Sequence, residues 1–172
     1  MAGGSRLACV AAAGAAGLGL GHAAVSAYWA AGGTGLLDTI GGDLERWGRE
    51  RGASLVAALW MIVVVKTVVA LAAPIVACRP RALPSWTRGR VPRILSWIAA
   101  IVLVAYGGVL TVAGLVVQAE IVAASPEADR RALAWHAYLW DPWFFMWGTA
   151  FAVALWLTRT RAHVAVATDR SR

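Results

Sequence analysis

Few side chains in this sequence can do chemistry, and their depth in apolar runs limits what that chemistry is. Lys66 is the only lysine among 172 residues, and it interrupts a run from Ala53 to Cys78 that holds no other charge. A helix over 53–77 places it about 13 residues from the ends, roughly 19 Å at 1.5 Å per residue. A lysine at that depth in hydrocarbon costs on the order of 3 kcal/mol and by default marks a function with a partner. Such an ammonium binds an anion or carries a proton. Alternatively, its stem reaches toward a boundary, or its head bonds backbone carbonyls between helices. His22 falls at similar depth in the first apolar run, and Tyr106 and Thr111 do so in the third. Gln118 and Glu120 lie nearer the outer end of that run, and Trp29, His136 and Asp141 stand at the outer mouth. The set outlines a polar cavity opening outward. Lys66 and His22 form its floor, and Tyr106 and Glu120 are further candidate ligand contacts.

Each of these residues also has a plainer role open to it. A lone His22 on a small-residue face suits a hydrogen bond to a neighbouring helix. His136 and Asp141 have the chemistry of an acid–base pair, but positions i and i+5 share an α-helical face poorly. Asp141-Pro142 reads as a helix cap followed by proline at the first turn. Cys9 and Cys78 fall near the inner end of their runs, facing a reducing compartment, and are expected as free thiols. The sequence has no CxxC pair, Cys/His cluster of metal-ligand spacing, phosphate loop, nucleophile elbow or zinc-protease helix. No cofactor, metal or catalytic residue is therefore assigned.

The elements that must position these residues follow from composition. The chain is 60% apolar and 15% charged, with a mean hydropathy of +0.65. Soluble domains carry about 25% charged residues, and disorder requires low hydrophobicity. The remaining class is an all-α polytopic membrane protein of a single domain, 1–172. Residues 7–37, 94–119 and 142–158 carry no Asp, Glu, Lys or Arg. A spanning helix needs about 20 apolar residues, which predicts helices near 8–31, 53–77, 94–119 and 142–159. They would form one four-helix bundle, followed by a cytoplasmic tail, 160–172.

Alternate linkers differ in charge. The N-terminus, the loop 79–93 and the tail hold ten arginines against five in the segments 38–52 and 120–141, where eight of the nine acids fall. The positive-inside rule then puts both termini in the cytoplasm, with the protein multi-pass in the inner (plasma) membrane. This accounts for the net charge of +7 without nucleic acid. Trp29, Trp60, Trp140, Trp143 and Trp147 gather at the proposed outer boundary, and Trp97 and Trp156 lie toward the inner one. Arg6, the apolar run and Val25-Ser26-Ala27 also fit a cleaved signal peptide, although the run is far longer than a signal core. In the loops, Asp43 caps a short turn through Trp47. Ser125-Pro126-Glu127 starts a short interfacial helix through Trp140. The loop with Pro80, Pro84, Gly89 and Pro92 is expected to be irregular.

Small or polar residues recur on one face of each long helix. They are Ala15, Gly19, His22, Ser26 and Trp29; Leu59, Lys66, Ala70, Ala73 and Ala77; Ala100, Gly107, Thr111, Gly114 and Gln118; and Phe144, Gly148 and Ala152. These faces should meet, and Gly17 with Gly21 offers a further close approach.

Two local patterns, His22 with Tyr28-Trp29 and Gly32-Gly33, and Trp140-Asp141-Pro142-Trp143-Phe144, resemble a family of small bacterial four-helix membrane proteins classed as a domain of unknown function. The resemblance covers about residues 15–160. It implies the fold and no activity. Two functions stay open beside each other: non-enzymatic binding or transport through the cavity around Lys66 and His22, and a structural or accessory subunit of a membrane complex. The first implies a small-molecule or lipid ligand, the second a homo-oligomer or membrane-protein partner, and both imply the lipid bilayer. An enzyme acting on a lipid-linked substrate through His136, Asp141, Glu120 or His22 has no paired motif behind it.

Overall fold

The computed structural model describes residues 3–80 and 82–169 and, for Leu44 and residues 159–169, the backbone alone. Arg81, Arg170 and Arg172, counted above for topology, lie outside the described residues. The described chain is helical without strands: α1 (Gly3–Ala30), α2 (Gly42–Glu50), α3 (Ala53–Cys78), α4 (Arg90–Gln118), α5 (Arg130–Trp135) and α6 (Asp141–Asp169).

The four long helices pack side by side and alternate in direction. Cys9 near the start of α1 is disulfide-bonded to Cys78 at the end of α3, with Cα atoms 5.4 Å apart. The Trp143 indole N–H donates to the Leu18 carbonyl at 3.0 Å, tying the beginning of α6 to the middle of α1. Arg93 at the beginning of α4 donates to the Leu155 carbonyl at 3.0 Å near the other end of α6. Neighbours in space run α3, α1, α6, α4. The disulfide corrects the expectation of free thiols: the antiparallel packing of α1 and α3 decides the distance, which an argument from compartment could not see.

The core is built from alanines facing aromatics. Ala12, Ala15, Ala70, Ala73 and Ala100 are fully buried, and so are Phe151 and Leu155 of α6. Trp147, Phe151 and Leu155 recur every four residues, so they share one face of α6. They fill the groove that the alanines leave. Trp147 therefore stands 1% exposed in the core, not at the outer boundary. Close approach falls at Gly19, where a Cβ would lie 2.6 Å from Ala70 and Trp147, and not at Gly17, which has nothing within 4 Å.

Among the described residues three helices, not four, are long and apolar enough to cross a membrane: Gly4–Ala30, Ala53–Cys78 and Arg90–Gln118. The expected fourth, α6, carries Pro142, Trp143, Trp147, Gly148, Thr149 and Trp156 among its apolar residues, and these dilute its hydropathy. The same helix holds the largest buried side chains.

Connections depart from the sequence expectations in three places. Ser125 closes a turn, its carbonyl accepting from the Ala128 N–H at 3.0 Å. Helix α5 begins later, where the Asp129 carboxylate accepts from the N–H groups of Arg131 and Ala132. Asp43 does not cap α2: the helix follows Gly41, and Asp43 pairs with Arg46 at 2.8 Å. Residues 85–88 form a 3₁₀ turn within the loop expected to be irregular.

Candidate functional site

His22 and Ser26 sit one turn apart on α1, and Lys66 faces them from α3. The Lys66 ammonium donates to His22 Nδ1 at 3.0 Å and to Ser26 Oγ at 2.8 Å. The Ser26 hydroxyl in turn donates to the His22 carbonyl at 3.3 Å, a bond its i, i+4 spacing allows within the helix. With Nδ1 as acceptor, a neutral His22 carries its proton on Nε2, which is buried without a hydrogen-bond partner among the described residues. The ring is 4% exposed and enclosed by aromatics. Phe144 lies 4.3 Å away between centroids, Trp143 5.4 Å and Trp140 5.9 Å. Lys66 Nζ also lies 5.6 Å from the Phe144 centroid, within cation–π range.

Lys66 lines one end of a cavity of ≈ 180 Å³. Its α3 wall is Leu55, Leu59, Ile62 and Lys66, a spacing of four, three and four that keeps one helical face. The opposite wall is Ser26 and Trp29 of α1, and Leu37, Ile40 and Gly48 close the end toward the connecting segment. Trp29 is held there by its indole N–H, which donates to the Gly35 carbonyl at 2.9 Å.

The second polar group lies beyond the cavity. His136 Nδ1 stands 3.3 Å from the Asp141 carboxylate, whose residue is 4% exposed. Residues 136–140 form a π-helical turn. That turn rotates i and i+5 onto one face, so the α-helical objection to this pair does not apply. Asp141 is thus a hydrogen-bond acceptor for His136 and not a helix cap. The carboxylate, helped by the Ile40 carbonyl, raises the His136 pKa above its ordinary value, against a smaller lowering by burial. The Trp140 indole N–H donates to Thr39 Oγ1 at 3.1 Å, so the turn 37–39 is tied to the π-helical turn, beside the tie of Ile40 to His136.

The structure brings together Lys66, His22 and Trp29. Tyr106 touches the group only through the edge of Phe144, at 5.4 Å, and is half exposed. Glu120 lies two residues beyond the end of α4 with φ of 58° and is exposed, in contact with none of the described site residues. Ser26, the aromatic enclosure of His22 and the leucine wall were not among the expected site residues. Ser26 at i+4 from His22 and the 55, 59, 62, 66 stripe were their signals in the sequence. No group of His, Cys, Asp and Glu among the described residues is arranged to hold a metal ion.

The family of proteins of unknown function DUF3995 matches residues 19–151. The chain belongs to this family. The matched segment contains His22, Ser26, Lys66 and the whole Trp140–Phe144 stretch, so the cluster lies inside the family domain. No curated protein and no solved structure matches the chain.

Proposed function

We propose that this member of the family is a multi-pass protein of the inner membrane that binds a small ligand, without catalysis, in the cavity ending at Lys66. One observation carries the reading. A deep ammonium is held by two neutral side chains, at 3.0 and 2.8 Å, and opens onto a cavity of ≈ 180 Å³. A lysine needed only for packing would have its charge spent on a carboxylate or carbonyls, and not presented to a cavity. In the proposed topology α6 is the fourth span. Helices α1 and α4 flank it and bury its Trp147, Phe151 and Leu155 face, which offsets its lower hydropathy, and the arginine-rich end of the molecule is cytoplasmic.

Native mass spectrometry of the protein released from nanodiscs tests this, wild type beside Lys66→Leu. A discrete added mass on the wild type that disappears in the variant is the expected result. An identical spectrum for both, with a defined oligomer or a co-purifying protein, would make Lys66 a packing residue and the chain an accessory subunit.

A further inference from the structure

We infer that the ligand of this cavity is a small organic monocarboxylate with a compact apolar body, its carboxylate seated on Lys66 and its body against Leu55, Leu59 and Ile62. The inference rests on the binding reading above and adds the charge, shape and size of what is bound.

The charge follows from the partners of Lys66. Those partners are His22 Nδ1 and Ser26 Oγ, both neutral acceptors. Among the described residues no carboxylate pairs with the ammonium; the ion pairs present belong to Arg46, Arg49, Arg131 and His136. An ammonium has three N–H donors, so two are used and one remains for the cavity it lines. A half-buried cation with no counter-ion beside it gains from an anion that supplies one. One cation with no arginine fork beside it suits a single negative charge better than a phosphate dianion.

The shape follows from the walls. Polar atoms cluster at the Lys66–Ser26 end, whereas Leu37, Ile40, Leu55, Leu59 and Ile62 line the remainder. The cavity therefore suits a molecule with one polar end. The size follows from the volume of ≈ 180 Å³. A dry cavity of about 150 Å³ accommodates benzene, so this one holds roughly seven to nine non-hydrogen atoms, about one ring and a carboxylate.

Benzoate and its neutral isostere benzamide separate the possibilities, titrated by calorimetry into wild-type protein in nanodiscs, Lys66→Met and Leu59→Trp. Benzoate is expected to bind the wild type at least about tenfold tighter than benzamide, or about 1.4 kcal/mol. Lys66→Met should erase that preference. Leu59→Trp fills the cavity without touching the ammonium and should abolish binding of both. If Lys66→Met does not fold, the wild-type preference and Leu59→Trp still decide. Equal binding of the two probes would overturn the anionic assignment and leave the binding reading standing. Neither probe binding, with a Lys66-dependent mass still present in the native spectra, would overturn the size and class alone. Neither probe binding and no such mass would overturn both.

Discussion

Replacing Gly107 by alanine should drive α4 away from α6 at the point where α6 forms the wall of the site. A Cβ there would lie 2.8 Å from the Asp141 carbonyl oxygen and 2.9 Å from the Phe144 carbonyl carbon, and it would press closest on the Phe145 backbone nitrogen. Nonbonded carbons settle at about 3.5–4.0 Å, so one helix must retreat by at least about half an ångström. The obstructing atoms are backbone, which no rotamer change can move. A radial gap of that size forfeits roughly a quarter or more of the dispersion attraction along the seam, and overpacking of a close-packed interior costs about 1–3 kcal/mol. The helix-propensity gain from glycine to alanine returns about 1 kcal/mol, leaving a net loss of about 0–2 kcal/mol. Gly17→Ala is the control, because nothing lies within 4 Å of its Cβ position and only the propensity gain applies. The propensity gain is common to both and cancels, so the two variants should differ by about 1–3 kcal/mol in reversible unfolding, followed by tryptophan fluorescence in mixed micelles. Because the Phe144 ring lies 4.3 Å from that of His22, Gly107→Ala should also disturb the site. A Gly107→Ala protein as stable as Gly17→Ala would refute the close approach of α4 and α6.

Two further predictions concern the outer segment. The Asp141 carboxylate, with the Ile40 carbonyl, holds the His136 pKa above its ordinary value. Its contribution to stability is therefore fully present below the unfolded pKa of about 6.5 and is lost as pH rises through the raised folded value. The stability difference between wild type and His136→Gln should shrink as pH rises through that window in unfolding titrations, and a pH-independent difference would sink the linkage. Thr39→Val removes the acceptor of the Trp140 indole N–H, a bond between residues 0% and 4% exposed. The orphaned donor should cost about 1–3 kcal/mol in the same assay, and an unchanged stability would show that the turn 37–39 is not tied down through Trp140.

The long helices were legible because charge-free runs and helix length answer to the same constraint. The approximate ends of α1, α3 and α4 followed from where charge or glycine resumes, and the small-residue face correctly placed Gly19, Gly107 and Gly148 at contacts. Lys66 and His22 were legible because a charge or an imidazole inside an apolar run needs a reason. Side-chain partnership across helices was not. That Lys66 meets His22 and Ser26, and that Tyr106 and Glu120 stand apart, depends on rotations of α1, α3 and α4 that no single periodicity fixes. The pairing of Cys9 with Cys78 was missed for the same reason. His136 and Asp141 were discounted on a periodicity of 3.6, and one π-helical turn of five residues supplied the other periodicity.

The position of α6 shows why hydropathy and burial part company in this fold. The outer helices α3 and α4 expose Met61, Val64, Val65, Val68, Ile98, Ile101, Val102 and Val109, as the proposed membrane topology requires of helices that would meet hydrocarbon. The inner pair, α1 and α6, is flanked by a helix on two sides, so its protein-facing stripe can carry the groups that lipid would penalise. It does so with His22 and Ser26 on one helix and Asp141, Trp143, Trp147 and Gly148 on the other. The helix with the largest buried side chains therefore falls short of the apolar length that α1, α3 and α4 reach. By the same logic Lys66 is the exception that needs explaining. It belongs to an outer, apolar helix, yet its head reaches inward to α1 and stops at a cavity and not at a carboxylate. Packing needs account for the polar residues of α1 and α6; they do not account for Lys66, and the proposed anion would.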